Sequence, residues 1–72
     1  MKPPKTADAL GSNIRAMRLL SRLSQQQLAV AAKTDTNYLR GIELGQRNPT
    51  VRVLERIASA LGVEVIDLFD AP

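Results

Sequence analysis

The sequence contains no cysteine and no histidine. Without cysteine the chain has neither disulfides nor thiolate metal sites, and without histidine it lacks the commonest general base and metal ligand. No glycine-rich nucleotide-binding loop is present either. We therefore expect a protein that is not an enzyme, has no catalytic or metal-binding residues, needs no cofactor and takes no small-molecule ligand.

A long apolar run is also missing from the chain. No segment approaches the roughly 20 apolar residues that a membrane-spanning helix needs. The basic start MKPPK is not followed by an apolar signal segment. These absences predict a soluble, cytoplasmic protein without a membrane partner.

The length of 72 residues suits one domain and not two. A domain this small buries only about 60% of the surface that its unfolded chain exposes, so its stability margin is thin. A partner subunit would add buried surface.

Charge is distributed unevenly along the chain, whose net charge is +3. Residues 1–33 contain six Lys or Arg and one Asp, whereas residues 34–72 contain four Arg and six acidic residues. One part of the molecule therefore suits a polyanion such as nucleic acid. Many soluble proteins are equally basic, so charge alone does not identify a nucleic-acid binder.

Apolar residues recur at helical spacing, and no segment shows the sustained alternation of a strand, which predicts an all-α fold. Residues 1–6 contain two prolines and two lysines and are predicted to form a flexible arm. Residues 7–70 are predicted to form a single domain. Its first helix begins near Thr6 or Asp8 and runs to about Leu20.

Two short helices are predicted in the middle of the chain. Ser24 begins the segment SQQQ, a capping box that starts a helix at about 25–32. Asp35 is a good N-cap for the next helix, at about 36–44. Two short helices joined by a turn of about three residues form a helix-turn-helix unit.

Two further helices complete the domain. Thr50 caps a fourth helix, which Gly62 ends, and a short last helix begins near Glu64. The prediction is therefore an all-α fold of four or five short helices.

The third predicted helix has an unusual polar face. At about 100° per residue, its hydrogen-bonding residues and one cation fall on one side. A solvated face usually carries mixed charges instead, so this face is a candidate binding surface. It contains Thr36, Asn37, Arg40 and Gly41, together with the apolar Leu44.

From Leu10 to Phe69 the chain resembles the phage repressor/Cro-type, or XRE, family of helix-turn-helix proteins. The segments that carry the resemblance are LSQQQLA, YLRGIELGQRNP and LERIASALGV, in the family's order and spacing. NYLRGIE followed by RN is also similar to the controller proteins of restriction–modification systems. The resemblance implies a compact five-helix, lambda-repressor-like DNA-binding domain, whose third helix enters the major groove.

The resemblance also implies which residues contact DNA. An Asn side chain can pair with adenine and an Arg side chain with guanine, and Thr can contact a base edge. The base-reading residues are Thr36, Asn37, Arg40 and Gly41, and the phosphate-binding residues are Ser24, Gln25, Tyr38, Arg47 and Asn48. Two alternatives remain open: Tyr38 fills the core, and SQQQ acts first as a helix cap.

Glu43 is predicted to lie on the inward side of the third helix, where a carboxylate requires a partner. The resemblance implies that this partner is Arg18 of the first helix. Two departures from the family pattern add positive charge, because Lys33 and Arg22 stand where glycine is common. If the turn keeps its left-handed residue, Lys33 has a positive φ at a cost of about 1 kcal/mol.

The apolar residues near the C-terminus predict a symmetric dimer, because so short a helix cannot turn all of them inward. The alternative is that Leu68 and Phe69 simply close the core. The predicted interface consists of Val53, Val65, Ile66 and Phe69.

These inferences predict a sequence-specific, double-stranded DNA-binding transcriptional regulator that acts as a homodimer on a palindromic operator. A repressor would cover a promoter, and an activator would hold polymerase nearby. The alternative is an antitoxin-like module whose main partner is a protein and whose DNA binding is secondary.

Overall fold

The computed structural model describes residues 6–70, which form four α-helices and one 3-10 helix. No strand occurs within this range, so the predicted all-α fold is confirmed. Thr6 already belongs to the first helix, whereas the rest of the predicted arm lies outside the described residues. The elements are α1 (Thr6–Leu20), α2 (Gln25–Ala31), α3 (Thr36–Glu43), α4 (Val51–Leu61) and the C-terminal 3-10 helix (Val65–Phe69).

Helix α2 begins with the predicted capping box. The Ser24 hydroxyl accepts a hydrogen bond from the Gln27 amide at 3.0 Å, and the Gln27 side chain accepts one from the Ser24 amide at 2.8 Å. These two bonds satisfy donors that the first turn of a helix leaves without intrahelical partners. Local sequence therefore determines where α2 starts.

Helix α3 follows after a tight turn. Lys33 has a φ of 55°, in the left-handed region that glycine adopts more easily. Asp35 then caps α3, because its carboxylate accepts a hydrogen bond from the Tyr38 amide at 3.1 Å. The turn and the cap together set the direction in which α3 leaves α2.

Helix α4 also has the predicted ends. The Thr50 hydroxyl accepts from the Val53 amide at 3.2 Å, and Gly62 ends the helix with a φ of 72°. The segment after Gly62 forms a 3-10 helix rather than an α-helix. It lies against α1, where the Asn13 side-chain amide donates to the Leu68 carbonyl at 3.1 Å.

One core joins all five elements, with apolar side chains contributed by each. Its largest fully buried side chains are those of Ile14, Leu28, Leu39, Ile42, Ile57 and Leu68. Leu68 is among them and closes the core, as the alternative to the dimer predicted, whereas Phe69 is 46% exposed and does not. No helix within residues 6–70 has the length and apolar character needed to cross a membrane.

Helices α1 and α3 approach each other at Gly11. A Cβ atom at this position would overlap the Ile42 carbonyl and lie 2.7 Å from the Glu43 carbonyl oxygen. Glycine is therefore the residue that allows α3 to lie this close to α1.

Val53 requires a correction to the predicted dimer interface. Its side chain is only 8% exposed and belongs to the core, whereas Val51, two residues earlier, is 67% exposed. Residues two apart on a helix point in nearly opposite directions. The buried stripe of α4 includes Val53, so it is Val51 that faces outward.

Candidate nucleic-acid interface

The exposed side of α3 carries the side chains that were predicted to read bases. Asn37 and Arg40 are exposed, and Thr36 is partly buried at the start of the helix. Asn37 and Arg40 are three residues apart and therefore neighbours on one helical face. An amide and a guanidinium on adjacent turns form a surface that matches hydrogen-bonding base edges.

Gly41 does not belong to that exposed surface. It is buried, and a Cβ atom at this position would lie 2.6 Å from Cγ of Arg47. Arg47 covers Gly41 in this structure, and contact of Gly41 with bases stays a prediction. The missing side chain instead leaves room for the aliphatic part of Arg47.

Arg47 and Asn48 are both exposed in the loop between α3 and α4. The packing on Gly41 holds the aliphatic part of Arg47 beside α3. This places a cation next to α3, the predicted reading helix, where a phosphate contact was predicted.

The predicted partner of Glu43 is Arg18, and the structure contains this ion pair. Arg18 Nε donates to Glu43 Oε2 at 2.7 Å, and Nη2 donates to Oε1 at 3.1 Å. The two residues are 7% and 6% exposed. This two-point geometry is the strong form of an arginine–carboxylate contact. It ties α3 to α1.

A third bond connects the pair to the segment before α2. Arg18 Nη1 donates to the Leu23 carbonyl at 2.8 Å. The same guanidinium therefore holds α3 and the start of the α2 segment at once. Arg18 therefore contributes, together with the shared core, to the position of α3 relative to the segment before α2.

Gln25 also binds within the protein. Its amide nitrogen donates to Glu43 Oε1 at 3.0 Å, and its amide oxygen accepts from Arg40 Nε at 3.5 Å. The structure thus brings together Gln25, which was predicted to contact phosphate, and Arg40, which was predicted to read bases.

Ser24 and Tyr38 have other roles that agree with the alternatives left open. The Ser24 hydroxyl is already the cap of α2. Tyr38 is partly buried and packs against the core. Contact of either residue with phosphate stays a prediction.

Exposed large apolar side chains occur on several elements of the described chain, and the C-terminal 3-10 helix carries two of them. Ile66 is 71% exposed and Phe69 is 46% exposed, whereas Val65 is partly buried against the core. Two residues of the predicted dimer interface therefore face outward in the single chain.

Sequence reasoning gave no role to Arg56. Its Nε donates to the Ala32 carbonyl at 2.9 Å, which joins α4 to the last residue before the turn. Gly11 and Asn13 were missed as well. All three act on partners distant in sequence, so no local pattern could have identified them.

A family model described as "Helix-turn-helix" matches residues 14–68. The immunity repressor protein of Bacillus phage phi105 is 41% identical over 56 residues, which cover 78% of this chain and 39% of that protein. This chain therefore spans well under half the length of that relative.

Two solved structures are similar over nearly their full length. The restriction–modification controller protein C.AhdI from Aeromonas hydrophila has a TM-score of 0.85 at 34% identity, over 86% of this chain and 94% of that one. The controller protein C.Esp1396I, solved as a tetramer with its natural 35 base-pair operator, has a TM-score of 0.82 at 30% identity, over 93% and 88% of the two chains.

Proposed function

This chain belongs to the helix-turn-helix family, and from that premise we propose that it is a sequence-specific, double-stranded DNA-binding transcriptional regulator. It acts as a homodimer on a palindromic operator and catalyses no reaction. The observation that carries the proposal is the exposed amide–guanidinium face of Asn37 and Arg40, on a helix anchored by a buried ion pair. Such a regulator works in the cytoplasm, on the DNA itself.

Base reading belongs to α3. With this helix in the major groove, Asn37 pairs with adenine N6 and N7, and Arg40 pairs with guanine O6 and N7. Thr36, at the N-terminal end, contacts a base edge or a thymine methyl group. Each good two-point contact discriminates against a wrong base by about 1–3 kcal/mol.

Phosphate contacts come from the rim of this surface. Arg47 and Asn48 in the loop after α3 provide them, together with Ser24 and Tyr38 near the helix starts. These contacts fix the register and carry no direct sequence information. Occupancy of a promoter then represses it, or recruits polymerase when the site lies upstream.

The homodimer follows from the exposed apolar side chains of the 3-10 helix. A second copy covers Ile66 and Phe69, and Val65 borders them. A two-fold dimer places two reading helices on half-sites about one helical turn of DNA apart, about 34 Å. The tetramer that C.Esp1396I forms on its operator supports an assembly of several copies.

The test is a binding selection from a random double-stranded DNA library at about physiological salt. The expected result is a palindrome with half-sites about one turn apart. Asn37→Ala and Arg40→Ala should each weaken binding to that motif by about 1–3 kcal/mol. Arg15→Ala, which removes an exposed cation from α1, is the control for lost charge.

Recovery of no motif, with only weak and salt-sensitive binding, would overturn the proposal. Salt-sensitive binding without sequence preference is what any basic surface shows. The function would then lie with a protein partner, as in an antitoxin-like module.

A further inference from the structure

Four polar side chains form a continuous chain of contacts from the core to the exposed face of α3. Arg18 binds Glu43 in the core, and Glu43 accepts from the Gln25 amide nitrogen at 3.0 Å. The Gln25 amide oxygen in turn accepts from Arg40 Nε at 3.5 Å. The buried ion pair is thereby connected to a candidate base-reading side chain.

The orientation of the Gln25 amide follows from its two neighbours. The Glu43 carboxylate only accepts hydrogen bonds, so the amide NH₂ must face it. The Arg40 guanidinium only donates, so the amide oxygen must face that side. A carboxylate at position 25 would repel Glu43, and an ammonium group there would repel Arg40. The amide meets both requirements because it carries a donor and an acceptor on one side chain.

The contact to Arg40 uses Nε alone. Neither terminal nitrogen of the Arg40 guanidinium takes part in the contact with Gln25. Two N–H donors are sufficient to bind guanine O6 and N7. Arginine has a long side chain with many rotamers, and ordering it on binding costs conformational entropy. At 3.5 Å the contact with Gln25 is long for a hydrogen bond and restrains Nε weakly. Such a restraint before DNA arrives reduces part of that cost and limits the directions in which the terminal nitrogens point.

We infer that Gln25 is a positioning residue that sets the specificity of Arg40, rather than primarily a phosphate contact. The inference rests on the proposed function, because it assigns a determinant of base preference within the same interface. Gln25 transmits the rigid geometry of the Arg18–Glu43 pair to the reading side chain. Support of this kind keeps a functional side chain in its productive orientation.

The experiment compares Gln25→Met with Gln26→Met. Methionine keeps the length of glutamine without its amide, and Gln26 is the exposed neighbour on the same helix. Wild type and variants are titrated with the selected operator and with every single-base change of one half-site. Arg40→Ala and the double variant Gln25→Met/Arg40→Ala complete a double-mutant cycle.

We expect Gln25→Met to weaken operator binding about tenfold, a change of about 1.4 kcal/mol. The loss should be concentrated at the base pair whose discrimination Arg40→Ala abolishes. In the Arg40→Ala background, Gln25→Met should change affinity less than about twofold, because the side chain that it positions is gone. Gln26→Met should leave the whole profile unchanged.

A phosphate role predicts different results. Binding would then weaken equally on all sequences, and the effect would add fully to that of Arg40→Ala. The salt dependence would not change in either case, because glutamine carries no charge. That pattern, or an unchanged profile, overturns the inference. A wild-type protein that selects no motif overturns the proposed function as well, and this is seen before any variant is measured.

Gln25→Lys provides a second variant that keeps a donor towards Glu43. It retains a bond to the ion pair but cannot accept from Arg40. We expect thermal unfolding close to that of the wild type, together with the same loss of discrimination at the Arg40 base pair. Retained discrimination in this variant would also overturn the inference.

Discussion

At the scale of single residues, two features decide how α3 is presented: a buried charge pair and two small residues. Arg18 and Glu43 are both almost fully buried, and each depends on the other for compensation. A Cβ atom added at either Gly11 or Gly41 would lie too close to other atoms. At Gly11 these are backbone atoms of α3, whereas at Gly41 they belong to the Arg47 side chain. The same substitution at the two glycines should therefore have different consequences.

Breaking the buried ion pair should destabilise the fold strongly. Glu43→Leu leaves the Arg18 guanidinium buried without its carboxylate, which costs about 3–5 kcal/mol. Arg18→Met/Glu43→Leu removes both charges and should be more stable than Glu43→Leu alone. Urea unfolding followed by circular dichroism measures all three proteins. A double variant less stable than the single one would contradict this account.

Alanine at the two glycines should separate stability from binding. Gly11→Ala should destabilise the fold by about 1–3 kcal/mol, because the backbone of α3 must shift. Gly41→Ala should destabilise the fold less than Gly11→Ala, because the Arg47 side chain and not backbone must shift. It should also weaken DNA binding as Arg47 leaves its position. Thermal unfolding and operator titration check the pair. Equal destabilisation at both positions would show that Arg47 cannot yield.

At the scale of elements, the ends of the helices follow local chemistry, whereas the turns carry strain. Arg22 precedes α2 and has a φ of 59°, and Lys33 follows α2 and has a φ of 55°. A non-glycine residue in this region costs roughly 1–2 kcal/mol. Arg22 and Lys33 therefore lower the free energy of unfolding relative to glycine at the same positions.

Glycine at the turn should recover part of that stability. Lys33→Gly should raise the free energy of unfolding by about 1 kcal/mol, because glycine adopts positive φ without a Cβ clash. Gly62→Ala is the control in the opposite direction, because it introduces a Cβ at a positive φ of 72°. No atom lies within 4 Å of the added Cβ, so the substitution changes only the backbone strain. It should lower stability by a similar amount. Denaturant unfolding at two salt concentrations separates the backbone effect from the lost charge.

At the scale of the whole molecule, residues 6–70 bury a small core and leave apolar side chains exposed, two of them on the C-terminal 3-10 helix. Covering Ile66 and Phe69 with a second copy would add to a thin stability margin. Assembly and folding stability are then coupled, because a bound partner stabilises the folded chain by mass action.

Charges on this surface should disrupt the dimer. Ile66→Glu should weaken self-association at least about tenfold, since a charge at an apolar interface is costly to desolvate. Val30→Glu is the matched control, because Val30 is 70% exposed and lies on α2. Sedimentation equilibrium over a range of concentrations measures both variants. Equal effects on the two variants, or none, would remove the 3-10 helix from the interface.

The local features of this protein were determined by sequence alone. Ser24, Asp35 and Thr50 cap their helices as predicted, because a cap bonds to an amide three residues away. Helical spacing of apolar residues indicated the all-α fold. The family resemblance, rather than periodicity, pointed to Arg18 as the partner of Glu43.

Tertiary structure decided what depends on residues distant in sequence. Gly41 lies under Arg47, Val53 lies in the core, and Arg56 binds the end of α2, none of which local spacing encodes. A helical pattern gives the direction of a side chain but not the neighbour that covers it. Burial and long-range hydrogen bonds arise only when the helices pack, so the connection from the ion pair through Gln25 to Arg40 appears only in the folded chain.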